Sequence, residues 1–217
     1  YSDSYSGFVS SYISNLFFKK IFENFAMLMT KINIKLANAT VVVSDGLLSN
    51  VGKNDSKEYK IVNGVSKDFF PLNQEPQKSI GPIVITFIGT VESWVNFANI
   101  MDAISTLNYQ NNGKFILKII GDGSKLREVK ETVHQKGLNE SVIFTGWVSY
   151  ARLHEYLKDS DICILPFDGG SISSLSMPMK IHEYAISKKP IITTPLPEIK
   201  KIYGPSVLYA TTKEEYV

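Results

Sequence analysis

From residue 83 onward, short apolar runs alternate with amphipathic stretches in a regular rhythm. Runs over 83–88, 115–120, 142–144, 161–166 and 191–194 are almost continuously hydrophobic, as strands are when both faces of a sheet are covered. Between them lie helix-period segments near 95–107, 124–136, 150–158 and 178–187, with a shorter one near 197–203. Each crossover is long enough for a right-handed βαβ unit. The pattern predicts an α/β fold, a Rossmann-like doubly wound parallel sheet, whose ligands sit beyond the carboxyl ends of the strands.

The first third of the chain reads differently. Residues 8–37 carry no Gly or Pro, and Phe17, Ile21, Phe25, Leu28 and Ile32 recur at steps of three and four, with Lys20, Glu23 and Lys31 off that stripe. One long helix is expected. Two readings of its stripe stand open: packing on a domain face, or lying on a membrane surface beside its lysines. Short strands are expected at 40–43 and 59–62, the first ended by Ser44-Asp45-Gly46 and the second running into Asn63-Gly64-Val65. The stretch 71–82, with three prolines and little apolar content, reads as a linker between two lobes.

Composition removes several classes of function. Hydrophobic content of 44% and charged content of 20% are those of a globular protein. The balance of 23 basic and 21 acidic residues leaves +2, and Arg127 and Arg152 are the only arginines; both facts argue against nucleic acid as a partner. Cys163, the single cysteine, sits in an apolar run and reads as a buried structural thiol. Three scattered histidines and one cysteine make no metal-ligand spacing. No apolar stretch reaches the roughly 20 residues of a membrane span, and no export signal opens the chain, so a cytoplasmic location is expected.

Candidate chemistry gathers at one sheet edge. Gly89-Thr90 ends the first strand of the repeating region and lets a ligand approach the backbone. It lacks the second and third glycines of the dinucleotide fingerprint, which argues against a dehydrogenase. Gly121-Asp122-Gly123 ends the next strand. The segment 168–184 is the richest: Ser176 is placed to cap a helix, Pro178 suits its first turn, and the amides beyond form an anion site. Lys180 adds a full charge there, and Glu183 shares its face. A surface Lys–Glu pair on a capped helix remains the alternative. His182 is read as a packed or solvated histidine, and Asp159 and Asp161 as markers of a helix-to-strand junction.

The order of these segments resembles the family 4 (group 1) retaining glycosyltransferases of GT-B fold. The resemblance rests on Ala37–Ser44, on Asn63-Gly64-Val65 followed by Phe69-Phe70-Pro71, and on Phe87–Thr90, Ile119–Gly123 and Phe144–Gly146 in family order. Ser160–Pro166, Pro178–Tyr184 and Lys189–Ile192 complete it. It implies residues 1–71 as a remnant of the acceptor lobe, 72–82 as linker, and 83–217 as a nucleotide-sugar-binding lobe, with the enzyme continuing beyond both ends. It also implies that Lys180 and the amides of Met177 and Met179, beside Ser176, hold the donor diphosphate, with Lys180 catalytic. Gly89, Thr90 and Gly121 would lie under the phosphates, Trp147, Val148 and Ser149 at the base, and Glu183 at the ribose. Three features depart from the family: the first glutamate of its E-x7-E motif falls on Leu175, Thr90 follows Gly89 where an arginine is common, and Trp94-Val95-Asn96 stands where a Lys-Gly is common.

The implied function is transfer of a sugar from a nucleotide diphosphate sugar to a saccharide or lipid-linked acceptor in cell-surface polysaccharide synthesis. No cofactor and no metal are expected, and contact is expected at most with the inner face of the membrane. The 217 residues alone are expected to turn over little. A sugar-nucleotide 2-epimerase and a non-catalytic nucleotide-binding module are the alternatives.

Overall fold

The computed structural model describes residues 16–51, 57–66 and 81–217. The predicted helical stretch 8–15, the Phe69-Phe70-Pro71 passage and most of the 71–82 linker lie outside these residues.

The larger of two compact units comprises 64–168, 178–195 and 203–217. Its six-stranded sheet is parallel throughout, in the order β5-β4-β3-β6-β7-β8. The strands are β3 (Ile83–Ile88), β4 (Phe115–Ile120), β5 (Val142–Gly146), β6 (Ile162–Leu165), β7 (Ile191–Thr193) and β8 (Leu208–Tyr209). Starting from β3, the chain winds outward through β4 and β5, then returns to β6 on the other side of β3. That reversal creates the switch point at which ligands of such sheets bind. The helices of this unit are α3 (Phe97–Gln110), α4 (Leu126–Gln135), α5 (Leu153–Lys158), α7 (Met179–Ile186) and the terminal α9 (Lys213–Tyr216). The doubly wound parallel sheet expected from the strand pattern is therefore present.

Alternate strand residues turn Ile85, Phe87, Leu117, Ile119 and Val142 into one core with Ile100, Met101 and Ile104 of α3 and Val129 and Val133 of α4. Phe87 meets Phe97 edge to face, 5.0 Å between centroids. Fully burying side chains of this kind contributes roughly 1.5–3 kcal/mol each, which is why the apolar runs outweigh local propensity here. Asp161 acts at the predicted junction: its carboxylate accepts the Val84 N–H at 2.8 Å, and its own N–H donates to Val84 O at 2.8 Å. Cys163 is fully buried, as expected.

The smaller unit joins the chain up to residue 63 with 169–177 and 196–202. It contains α1 (Leu16–Leu36), the parallel pair β1 (Ala39–Val42) and β2 (Lys57–Lys60), α2 (Asp45–Val51), the single turn α6 (Ser171–Leu175) and most of α8 (Pro197–Tyr203). Sequence periodicity missed α2 and α6 because Gly, Ser and Asn dominate them and carry little helical signal. The expected strand at 59–62 lies earlier, at 57–60, where it pairs Tyr59 with Val41.

The stripe on α1 is largely exposed among the described residues: Phe25 is 58% exposed and Leu28 54%, while Thr30 and Ile34 are the buried positions. No helix among the described residues is long and apolar enough to cross a membrane.

Candidate functional site

A cleft of about 240 Å³ opens over the carboxyl edge of the large sheet. Its floor is made by three strand ends. Ile88 ends β3 and Gly89 and Thr90 follow it; Ile120 ends β4 and Gly121 and Asp122 follow it; Trp147 and Val148 follow β5. Leu153 of α5 and Lys180 of α7 close the sides.

The first two turns are locked together by backbone contact. Gly89 N–H donates to Ile120 O at 3.0 Å, and Val91 N–H to Asp122 O at 3.0 Å. A Cβ on Gly121 would stand 1.9 Å from Gly89 O, and one on Gly123 would stand 2.3 Å from Val91 O. Only glycine permits this approach, and Gly121 also holds φ at +141°. The Gly121-x-Gly123 pair thus shapes the cleft by letting two turns touch.

The third wall depends on an irregularity. Ile119 pairs with Phe144 but Ile120 pairs with Gly146, so Thr145 is bulged out of the ladder. Gly146 then takes a left-handed φ of +71°. Bulges redirect the residues after them, and here the outcome is a Trp147 side chain 75% exposed at the rim of the cleft.

Lys180 lies in the first turn of α7, and its side chain is 27% exposed. Its ammonium donates to Glu183 Oε1 at 3.2 Å and stands 2.9 Å from Oε2, off the line of a second hydrogen bond. The same nitrogen is 5.7 Å from the Tyr150 ring centroid, within cation–π range. Glu183 is fully buried, and its Oε2 has no hydrogen-bond partner. Under Lys180, the carboxylate does not line the cleft.

Of the residues expected at the donor, Gly89, Thr90, Gly121, Trp147, Val148 and Lys180 are brought to one cleft. Ser149, Ser176, Met177, Met179 and Glu183 are not among its lining residues. Ser176 does not cap the helix. Pro178 occupies the cap position, with no side-chain cap bond, and the Ser176 hydroxyl donates to Ser173 O at 2.8 Å. Ser176 and Met177 belong to the smaller unit, where Met177 O accepts from the Asn63 amide at 3.5 Å. The amide of Met179 opens α7, while its side chain is 46% exposed. His182 turns away from Lys180, its Nδ1 lying 2.7 Å from the Tyr203 hydroxyl, and burial lowers its pKa.

Asp122, Leu153 and Tyr150 were not picked out as site residues. Asp122 was visible as the middle of a glycine turn. Leu153 and Tyr150 carry no local signal, since a tertiary turn places them.

Leu175 has an explicit setting in the smaller unit. Its carbonyl accepts the Ser44 hydroxyl at 2.5 Å, and its side chain fills the space beside Gly46, where an added Cβ would meet Leu175 Cδ2 at 2.9 Å. Nearby, Asp45 pairs with Lys60 at 2.7 Å and with Lys201, and these cations hold its carboxyl below the usual range. The buried Glu198 accepts the Asp45 N–H at 2.7 Å.

A parallel sheet whose strand order reverses at its first strand, with glycine turns at its carboxyl edge, is a doubly wound α/β lobe with a ligand site at the switch point. Solved structures agree in fold. The pneumococcal O-GlcNAc transferase GtfA, crystallised with UDP and GlcNAc, superimposes with a TM-score of 0.68 at 11% identity, over 87% of this chain and 38% of that one. A point mutant of TarM of S. aureus, in complex with Fondaparinux, alpha-GlcNAc-glycerol and UDP, gives 0.66 at 14% identity, over 90% and 38%. In sequence, TuaH of Bacillus subtilis strain 168, assigned as a putative teichuronic acid biosynthesis glycosyltransferase, is 27% identical over 184 residues, 80% of this chain and 44% of that protein. The profile of the glycosyl transferases group 1 family matches residues 82–215. The chain belongs to that family. It spans less than half the length of the curated relatives it matches.

Proposed function

We propose that this chain binds a nucleotide diphosphate sugar and serves its transfer, with retention, to a saccharide or lipid-linked acceptor in cell-surface polysaccharide synthesis. The observation that carries the reading is one ammonium, Lys180, held over a cleft whose floor is glycine backbone. The diphosphate would lie against Gly89, Thr90 and Gly121, with the Met179 amide and the Ser176–Met177 segment leading into α7. The base would rest at Trp147, Val148 and Ser149, where the exposed indole offers a flat face. Glu183 holds Lys180 from beneath; the ribose contact that the family resemblance implies for it would require its buried carboxylate to open to the cleft.

Breaking the glycosidic bond to phosphate leaves negative charge on the departing diphosphate. A cation and amides aimed at that charge favour the transition state over the ground state. Two charge-assisted hydrogen bonds of about 1.5–3 kcal/mol each amount to roughly 3–6 kcal/mol, or about 10²–10⁴ in rate. No metal is needed in this scheme, so chelator should leave binding unchanged.

Calorimetry with UDP, GDP and ADP on wild type and Lys180→Ala tests the reading. At least one nucleotide should bind wild type, and the variant should lose about tenfold or more in affinity. Equal affinity for both proteins would remove Lys180 from the site. Release of an epimer without acceptor would favour a 2-epimerase, and binding without any transfer by the full-length protein would favour a binding module. The exposed Phe25 and Leu28 of α1, with Lys20, Lys31 and Lys35 on the same helix, support peripheral contact with an anionic lipid surface.

A further inference from the structure

Tyr184 is the largest fully buried side chain of α7. Its hydroxyl oxygen accepts the Ile88 N–H at 2.7 Å. Ile88 ends β3, and the next residue is Gly89, the floor of the cleft. The reason for this bond lies in the ladder. On one side β3 stays paired with β4 to its end, Ile88 opposite Ile120, and Gly89 N–H continues toward Ile120 O. On the other side β6 pairs only at Ile85 and Thr86. Neighbouring amides of a strand point to opposite sides, so the Ile88 N–H faces the side where β6 has already departed. A buried amide without an acceptor costs about as much as a lost hydrogen bond, and the phenol takes the place of the missing strand.

Lys180 and Tyr184 are four residues apart on α7, hence on one face, one turn apart. Glu183, which holds the Lys180 ammonium, directly precedes Tyr184. The bond from Tyr184 to the end of β3 therefore ties α7 to the strand beside the Gly89 turn. Burial keeps the phenol in its neutral form, its pKa raised well above the ordinary value.

We propose that Tyr184 is a positioning residue: through Ile88 N–H it registers α7 against the end of β3, so that Lys180 meets a diphosphate lying on Gly89 and Gly121. This rests on the diphosphate reading of the cleft.

The test compares Tyr184→Phe with Thr86→Val in the 217-residue chain. Thr86→Val breaks another buried bond of β3, the 2.6 Å contact of Thr86 with Ser160, away from the cleft, and serves as the control for lost stability alone. Urea unfolding and calorimetry with UDP and with inorganic pyrophosphate are measured for both. Tyr184→Phe should weaken both ligands about tenfold, Thr86→Val less than twofold, with similar losses in unfolding midpoint. On a Lys180→Ala background, Tyr184→Phe should weaken them no further. A Tyr184→Phe protein that binds like wild type, or that loses the same factor with and without Lys180, overturns the assignment. A wild-type chain that binds neither UDP nor pyrophosphate overturns the diphosphate reading and the assignment with it. A second measurement needs no variant: saturating UDP should slow hydrogen exchange of the Ile88 amide in wild type. An unchanged rate there, with UDP bound, also overturns the proposal.

Discussion

Lys180 is shared between a carboxylate and an aromatic face. Under the proposed function a diphosphate would compete with Glu183 for the ammonium and prevail because it carries more charge than one carboxylate, while the Glu183 pair would hold Lys180 in place in its absence. That sequence reading could pair Lys180 with Glu183 follows from helix geometry alone. That Glu183 is fully buried could not be read, because burial depends on strands far away in the chain. Cys163 is the reverse case: its apolar neighbours already indicated burial, and the structure adds the consequence. Desolvation pushes its thiol up from an ordinary 9.0 to about 12, against a smaller opposing effect of Lys189. Between those values an unfolded chain loses the thiol proton while the folded chain keeps it. Stability present below about pH 9 is therefore lost as pH rises toward 12, at up to about 1.4 kcal/mol per pH unit. Urea unfolding between pH 8 and 10.5 should show this slope in wild type and a flatter one in Cys163→Ala. Identical slopes would mean that the thiol is not desolvated.

At the scale of elements, irregular features make the cleft. The bulge at Thr145 and the left-handed Gly146 expose Trp147, and the short pairing of β6 leaves Ile88 to Tyr184. Neither feature has a period, and periodicity is what strand and helix assignment from sequence relies on. For α1 the pattern identified the helix and its stripe, yet not whether anything covers that stripe. Its Phe and Leu side chains with bordering lysines fit the interface of an anionic bilayer. Vesicles containing phosphatidylglycerol should retain the wild-type chain on sedimentation, and Phe25→Ser with Leu28→Ser should release it. Both substitutions are at exposed positions and should change stability by no more than about 0.5 kcal/mol. Equal recovery of both proteins in the supernatant would count against membrane contact.

Across the whole molecule, the two compact units are not contiguous in sequence. Residues 169–177 and 196–202 leave the large sheet to join the smaller unit, where Leu175 packs on Gly46 and Glu198 accepts from Asp45. The chain carries the cleft proposed to take a diphosphate but spans less than half the length of its curated relatives. The 217 residues alone should thus bind nucleotide and show little transfer. Robust multiple turnover in an acceptor-dependent assay with this chain would contradict that division. Read as sequence, the alternation of apolar runs and amphipathic segments was enough to determine a parallel α/β sheet and the carboxyl edge at which its cleft lies, because each strand and helix declares its own period. It was also enough to bring forward Gly89, Gly121 and Lys180, since turn glycines and helix starts are local features. Tertiary structure alone decided that Glu183 lies beneath Lys180, that Trp147 stands in the open, and that Leu175 fills a gap beside Gly46. Those outcomes come from contacts between segments distant in the chain, and a period shows which face is apolar without showing what meets it.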